Sequence, residues 1–218
     1  QARIEQMLKT GDINGDGADE ILVLDDSDNL LMLDPVNGET IRSVRLPNDS
    51  FSTLYYIRTG TAPEDFILLV GVMDRAYTPH PYANPWLIIN SDFEIVSLRD
   101  YKGAGHNVVI EDVNDDGRLE IMVGYQLINT KGEVLWTVDC WQNKEIDSFE
   151  QNADFIHAKK IDGEWLFSIS GSDKQYLINS KGHTIWVKDL PHPQACLIGN
   201  YRGQPRIFVA NQREIMNS

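Results

Sequence analysis

Ile128-Asn129-Thr130-Lys131-Gly132-Glu133-Val134-Leu135-Trp136 returns further along the chain as Ile178-Asn179-Ser180-Lys181-Gly182-His183-Thr184-Ile185-Trp186. Leu33-Asp34-Pro35-Val36-Asn37-Gly38-Glu39-Thr40-Ile41 and Ile89-Asn90-Ser91-Asp92-Phe93-Glu94-Ile95-Val96 follow the same plan. Each is an apolar strand, an Asp or Asn that opens a turn, usually a Gly that closes it, and a second apolar strand, which is the pattern of a β-hairpin. The Asp or Asn positions fall at 34, 90, 129 and 179, an irregular period of about 40 to 55 residues that matches the length of a propeller blade. The expectation is an all-β fold, a β-propeller of four-stranded antiparallel blades with four blades and half of a fifth visible.

Working outward, the repeats divide residues 1–218 as one domain into blades near 1–50, 51–102, 103–152 and 153–192, with a partial blade at 193–218. The first blade takes strands Ile4–Lys9, Glu20–Leu24, Leu30–Leu33 and Thr40–Leu46, and the second takes Thr53–Thr59, Phe66–Val72, Trp86–Ile89 and Glu94–Leu98. The fourth runs from Phe155 to Val187 around a bare Ile161-Asp162-Gly163 turn, and the fifth offers only Ala195–Gly199 and Arg206–Ala210. A propeller closes because each blade buries its faces against two neighbours. The N-terminal segment already begins with an inner strand, so the expectation is a chain that is part of a longer one, or a ring that closes in an unusual way.

Two loops carry a further signature. Asp12-Ile13-Asn14-Gly15-Asp16-Gly17-Ala18-Asp19-Glu20 and Asp112-Val113-Asn114-Asp115-Asp116-Gly117-Arg118-Leu119-Glu120 place oxygen-bearing side chains at positions 1, 3, 5 and 9. A glycine stands at position 6, where the backbone must turn sharply. Calcium takes six to eight oxygen ligands, so this set suits Ca2+ better than zinc. The ligands would be Asp12, Asn14, Asp16, the Ala18 carbonyl and Glu20, and in the second copy Asp112, Asn114, Asp116, the Arg118 carbonyl and Glu120. An EF-hand would need a bidentate Glu at position 12, which is Val23 in one copy and Val123 in the other. Short aliphatic runs follow both loops, so they join strands rather than helices. The metal-free alternative is a pair of Asp/Asn/Gly hairpin turns.

The composition, 42% apolar and 24% charged, is that of a globular protein able to bury a core. A net charge of -14, with 19 Lys and Arg that form no stripe, argues against nucleic acid. No apolar run is long enough for a membrane-spanning helix. The chain begins at Gln1 with no basic-then-apolar leader, so a leader has been lost or the chain starts inside a longer protein. Cys140 and Cys196 show neither zinc nor redox spacing.

Alternating strand direction puts the first-to-second and third-to-fourth turns of every blade at one end and the remaining connections at the other. Both calcium loops therefore share an end with the Asn-x-x-Gly turns, where calcium holds blades together rather than touching a substrate. The opposite end collects the long insertions 74–85 and 139–152, together with Tyr125, Tyr101, Lys102 and Gly103-Ala104-Gly105-His106. Long loops on a rigid scaffold are where binding residues concentrate. The inner strands open there on Gln6, Thr53, His106 and Gln194, with Asp154 at the equivalent place. His157, inside an apolar strand, reads as core, and Trp136 and Trp186 read as packing residues.

The calcium-type loops, the stretch Gly105-His106-Asn107-Val108-Val109-Ile110-Glu111-Asp112-Val113-Asn114-Asp115-Asp116-Gly117, and Pro191-His192-Pro193-Gln194-Ala195-Cys196-Leu197-Ile198-Gly199-Asn200-Tyr201-Arg202 together resemble the calcium-binding β-propeller polysaccharide lyases of the rhamnogalacturonan and ulvan type. The loops alone resemble FG-GAP repeats of integrin α-subunits, and the turns with Trp136 and Trp186 are similar to quinoprotein-type propellers. The lyase resemblance implies β-elimination at a uronic acid of an acidic polysaccharide outside the cytoplasm: secreted, periplasmic or on the cell surface. Such chemistry needs a base, a clamp for the substrate carboxylate and an acid for the leaving oxygen. His106 is the expected base, Tyr125 the acid and Arg75 the clamp, with His192 a further member of the pocket. The rival expectation is a non-catalytic propeller that binds a glycan or a protein partner, and convergence of those four side chains is what separates the two.

Overall fold

In the computed structural model, residues 8–47, 51–62, 65–71, 85–105, 107–143 and 152–211 are described. Four sheets of four antiparallel strands follow one another along the chain, each in sequential order. The first holds β1 (Leu8–Gly11), β2 (Glu20–Leu24), β3 (Asn29–Leu33) and β4 (Thr40–Arg45), and the second β5 (Thr53–Arg58), β6 (Phe66–Gly71), β7 (Pro85–Asn90) and β8 (Ile95–Asp100). The third holds β9 (Val108–Glu111), β10 (Glu120–Val123), β11 (Gln126–Asn129) and β12 (Val134–Thr137). The fourth holds β13 (Ala153–Ile161), β14 (Glu164–Gly171), β15 (Lys174–Asn179) and β16 (Thr184–Asp189), and a two-stranded sheet follows, β17 (Pro193–Tyr201) with β18 (Gln204–Asn211). The expected four-stranded antiparallel blades, and the half blade after them, are what the chain forms. Among the described residues the helical content is one 3-10 turn at Asp139–Trp141, and no helix is long and apolar enough to cross a membrane.

The repeated hairpin has a structural cause beyond its turn. In every blade the pairing of third and fourth strands slips by one residue at the same place, between Met32 and Leu33, Ile88 and Ile89, Leu127 and Ile128, and Leu177 and Ile178. Each slip is a β-bulge, in which two residues of the fourth strand face one of the third. The extra residues are Ile41, Val96, Leu135 and Ile185, all exposed. An aliphatic run that looks continuous in sequence is thereby divided, and the residue after the bulge, Trp136 or Trp186, turns back toward the blade face.

The chain separates into two compact units, Gln1–Asp100 with Thr130–Gly132, and Tyr101–Asn129 with Glu133–Ser218. In the first, β6 and β7 are buried on both faces and read as unbroken apolar runs, whereas β2 and β3 alternate buried with half-buried residues, and Leu22, Leu30, Leu54, Leu68, Val70, Leu87 and Ile89 form the core. In the second, Met122, Val138, Ile156, Phe167, Ile169 and Ile178 do so. Outer strands such as β4 and β16 are largely exposed. Where the fourth and fifth sheets lack the long first loop, a two-residue turn takes its place: Asp162-Gly163 (φ 50 and 85) and Arg202-Gly203 (φ 51 and 79). Positive φ at both positions is the geometry whose twist matches a right-handed strand pair.

Candidate functional site

The two Asp-rich loops join β1 to β2 and β9 to β10, as expected, and they fold alike. In the first, Asp12 Oδ1 accepts the Gly15 N–H (2.8 Å) and Oδ2 the Gly17 N–H (3.2 Å). Asn14 Oδ1 accepts from Asp16 N–H, and Asp16 Oδ1 from Ala18 N–H. Glu20 Oε2 accepts the N–H groups of Ile13 and Asn14. The second loop repeats the pattern: Gly117 N–H to Asp112 (2.9 Å), Asp116 N–H to Asn114 (2.9 Å), Arg118 N–H to Asp116 (2.8 Å) and Val113 N–H to Glu120 (2.9 Å).

Glu20 and Glu120 are 1% and 3% exposed. Burial pushes the Glu120 carboxyl above the usual range, and the negative charges of Asp116 and Asp112 push it further. A carboxylate in that position gains most from a nearby cation. Among the described residues no three His, Cys, Asp or Glu side chains already converge as a ligand cluster. The N–H groups instead orient each carboxylate through one or two of its lone pairs and leave others for a metal, so the oxygen-only donor set fits a hard cation. The second loop is also tied to the following blade, because Trp165 Nε1 donates to the Asp112 carbonyl (3.0 Å) and Lys160 pairs with Asp115 at the non-ligand position 4.

At the other end of the strands in the second unit, a polar cluster forms around Asp154 at the start of β13. Its carboxylate is 7% exposed, accepts from Asn152 Nδ2 (3.2 Å) and Gln194 Nε2 (3.4 Å), and lies 3.9 Å from His192 Nε2. Ser172 Oγ donates onward to Asn152 (3.2 Å). His192 sits in the left-handed region (φ 46) between Pro191 and Pro193, a rigid loop that presents a half-exposed imidazole. Ser172, Asp173, Lys174, Asp189 and His192 border an open depression of about 410 Å³. Three residues singled out in the sequence, Asp154, His192 and Gln194, thus come together. Asn152 and Ser172 complete the cluster, and Ser172 had no signal in the sequence, since one Ser in a short turn fits any hairpin.

Tyr125 requires a correction. It lies in the β10–β11 turn at the expected end, but it is 1% exposed, stacked on Trp141 (centroids 4.9 Å) and edge-on to Tyr176 (5.5 Å). Burial holds its hydroxyl pKa well above the ordinary tyrosine value. The phenol oxygen is enclosed so tightly that a Cβ on Gly171 would stand 2.4 Å from it. A phenol in this position cannot meet a polymer, and Tyr125 is a core residue. His106 and Arg75 lie outside the described residues, as do 74–84 and 144–151 of the insertions. Within the described part of the second insertion, Lys102 Nζ binds the carbonyls of Trp141 and Gln142 and so fixes the 3-10 turn. Cys140 and Cys196 are free thiols, half-buried and buried.

No protein-family model matches this chain, and no curated protein matches it. Solved structures do. The Bacillus licheniformis rhamnogalacturonan lyase is similar over 94% of this chain and 44% of its own, at 14% identity and a TM-score of 0.62. The exotype rhamnogalacturonan lyase YesX is similar over 94% and 42%, at 13% identity and a TM-score of 0.64. The Vibrio cholerae biofilm matrix protein Bap1 is similar over 84% and 28%, at 14% identity and a TM-score of 0.56. The chain spans less than half the length of each. Likeness at this identity speaks to fold and not to chemistry, and it shows a β-propeller-type, all-β architecture that this chain shares with polysaccharide lyases.

Proposed function

We propose that residues 1–218 form one propeller-type domain that binds a glycan at the strand ends carrying Asp154, His192 and Gln194, with calcium held in the two Asp-rich loops. The observation that supports glycan binding is the Asp154 cluster: a nearly buried carboxylate, two amides and a half-exposed imidazole beside an open depression. Sugar hydroxyls need such paired donors and acceptors. Lys174 beside the depression is matched by Asp173 and Asp189, and the net charge is -14, so a hydroxyl-rich glycan of low charge fits better than a polyanion. Calcium affinity on the order of 10⁻⁴ to 10⁻³ M would suit an extracytoplasmic compartment.

The second reading is a polysaccharide lyase that acts by β-elimination on a uronic-acid polymer, favoured by the fold shared with rhamnogalacturonan lyases. It rests on His106 as base and Arg75 as carboxylate clamp, with His192 as a further member of the pocket. Calorimetric titration with neutral and uronate oligosaccharides separates the readings. Asp154→Asn and His192→Ala are each expected to weaken neutral-glycan binding about tenfold, the loss of one hydrogen-bond partner of the ligand. Binding unchanged in both variants would refute the site. Ultraviolet absorbance of unsaturated uronate, formed from rhamnogalacturonan or ulvan and abolished by His106→Ala, would establish the lyase instead.

A further inference from the structure

The two Asp-rich loops fold alike, but the blade that follows each one meets it differently. Strand register identifies the corresponding residues. Lys160 pairs with Trp165 across β13 and β14, as Arg58 pairs with Phe66 across β5 and β6. The residues next in line, Leu166 and Ile67, pair with Asn179 and Asn90, which open equivalent hairpin turns. Trp165 and Phe66 are therefore counterparts, and so are Lys160 and Arg58.

At the second loop, Trp165 Nε1 donates to the Asp112 carbonyl (3.0 Å), while the Asp112 carboxylate accepts the Asp116 and Gly117 N–H groups (3.0 and 2.9 Å). The residue at position 1 is thus held through its backbone by the fourth blade and through its side chain by its own loop. Lys160 Nζ binds both carboxylate oxygens of Asp115 (2.5 and 2.8 Å), the position-4 residue, whose φ of 61 lies in the left-handed region. The same ammonium stands 5.9 Å from the Trp165 ring centre, so the two holds are neighbours. At the first loop neither hold can form. Phe66 has no side-chain N–H to donate, and position 4 is Gly15, which offers Arg58 no carboxylate. Beside that loop lies an open pocket of about 270 Å³, bordered by Asn14, Arg42, Phe66 and Asp92.

We propose that Trp165 and Lys160 are positioning residues for calcium at the second loop: they raise its affinity and make its ion a clamp between the third and fourth blades, an inference that rests on reading the loops as calcium sites. A loop already held in its ligating form has less freedom to lose when the ion arrives. The effect is reciprocal, so the factor by which the fourth blade strengthens calcium binding is the factor by which calcium strengthens the hold of the loop on the fourth blade. The first loop has no such hold to strengthen.

The test uses the full chain with Asp16→Ala, which leaves the second loop as the calcium site, and the full chain with Asp116→Ala, which leaves the first. Calorimetry gives the calcium affinity of each protein, and terbium, a luminescent stand-in for calcium excited through nearby tryptophan, gives the ion's surroundings. In the second-loop protein, Trp165→Phe copies the residue of the second blade and is expected to weaken calcium about fivefold, the loss of one hydrogen bond, and to remove most of the tryptophan-sensitised terbium emission. In the first-loop protein it is expected to change neither quantity. The charge-balanced pair Asp115→Asn with Lys160→Met removes the other hold at constant net charge and is expected to weaken calcium at the second loop about threefold; it serves as the second variant should Trp165→Phe fold poorly. Calcium affinity at the second loop unchanged by both variants, or an equal loss in the first-loop protein, would overturn the proposal and leave the calcium reading intact. No heat of binding in either single-loop protein would overturn both.

Discussion

Gly182→Ala is a direct test of how one blade is fastened to the next, because a second glycine provides the control. Gly182 has φ +80, and a Cβ there would stand 2.8 Å from Trp136 Cε3 and 3.0 Å from Cδ2. Gly163 has nearly the same backbone, φ +85, with nothing within 4 Å of its Cβ position. Alanine in the left-handed region costs about 1–2 kcal/mol at either site. At Gly182 the methyl group must also displace a packed indole, and overpacking of this kind costs a further ~1–3 kcal/mol. The expected totals are about 1–2 kcal/mol for Gly163→Ala and about 2–5 kcal/mol for Gly182→Ala, the sums of those two effects. In a chain of this size each kcal/mol lowers the melting temperature by about 2–4 °C, so thermal melts of the two variants resolve the difference, and urea titration gives the free energies. In a Trp136→Leu background the extra cost at Gly182 should vanish, leaving a coupling of about 1–3 kcal/mol between the two positions. Equal destabilisation by the two alanines, or an unchanged excess without the indole, would refute the claim that the hairpin is seated on Trp136.

Each Asp-rich loop is expected to bind one calcium ion; at ten times the dissociation constant each ion adds about 1.4 kcal/mol to stability, so chelation lowers the melting temperature and Asp116→Ala removes half of the effect. Identical melts with calcium and with excess chelator, and no heat in a titration, would contradict this. His157 accepts the Ile198 N–H through Nδ1 at 3.2 Å, and burial, aided by Lys159, lowers its pKa. The unfolded chain therefore takes the proton first: the contribution of His157 is fully present above about pH 6.5 and lost as pH falls through the lower folded value. His157→Gln should flatten the stability profile below pH 6.5, and a slope that persists in the variant would assign it to another group.

The sequence by itself determined the blades, because a β-hairpin is a local object. Its turn chemistry, its two apolar strands and the four-fold recurrence at positions 34, 90, 129 and 179 all lie within short windows, and the strands of those hairpins formed where the windows placed them; the first strand, expected at Ile4–Lys9, is described only as Leu8–Gly11, residues 4–7 lying outside the described ones. The donor pattern of the two Asp-rich loops was legible for the same reason, since a loop that binds its own N–H groups needs no distant partner. The bulges at Ile41, Val96, Leu135 and Ile185 were not legible, because a one-residue slip is set by pairing with the neighbouring strand and leaves no mark on composition. Tyr125 shows the same limit at the site: strand order put it at the correct end of the blade, but only the packing of Trp141, Tyr176 and Gly171 around it decided that it is core rather than surface. Asp154, His192 and Gln194 meet because β13 and β17 begin side by side. That adjacency is a long-range contact, so the tertiary structure alone decided which of the scattered polar residues share a cluster.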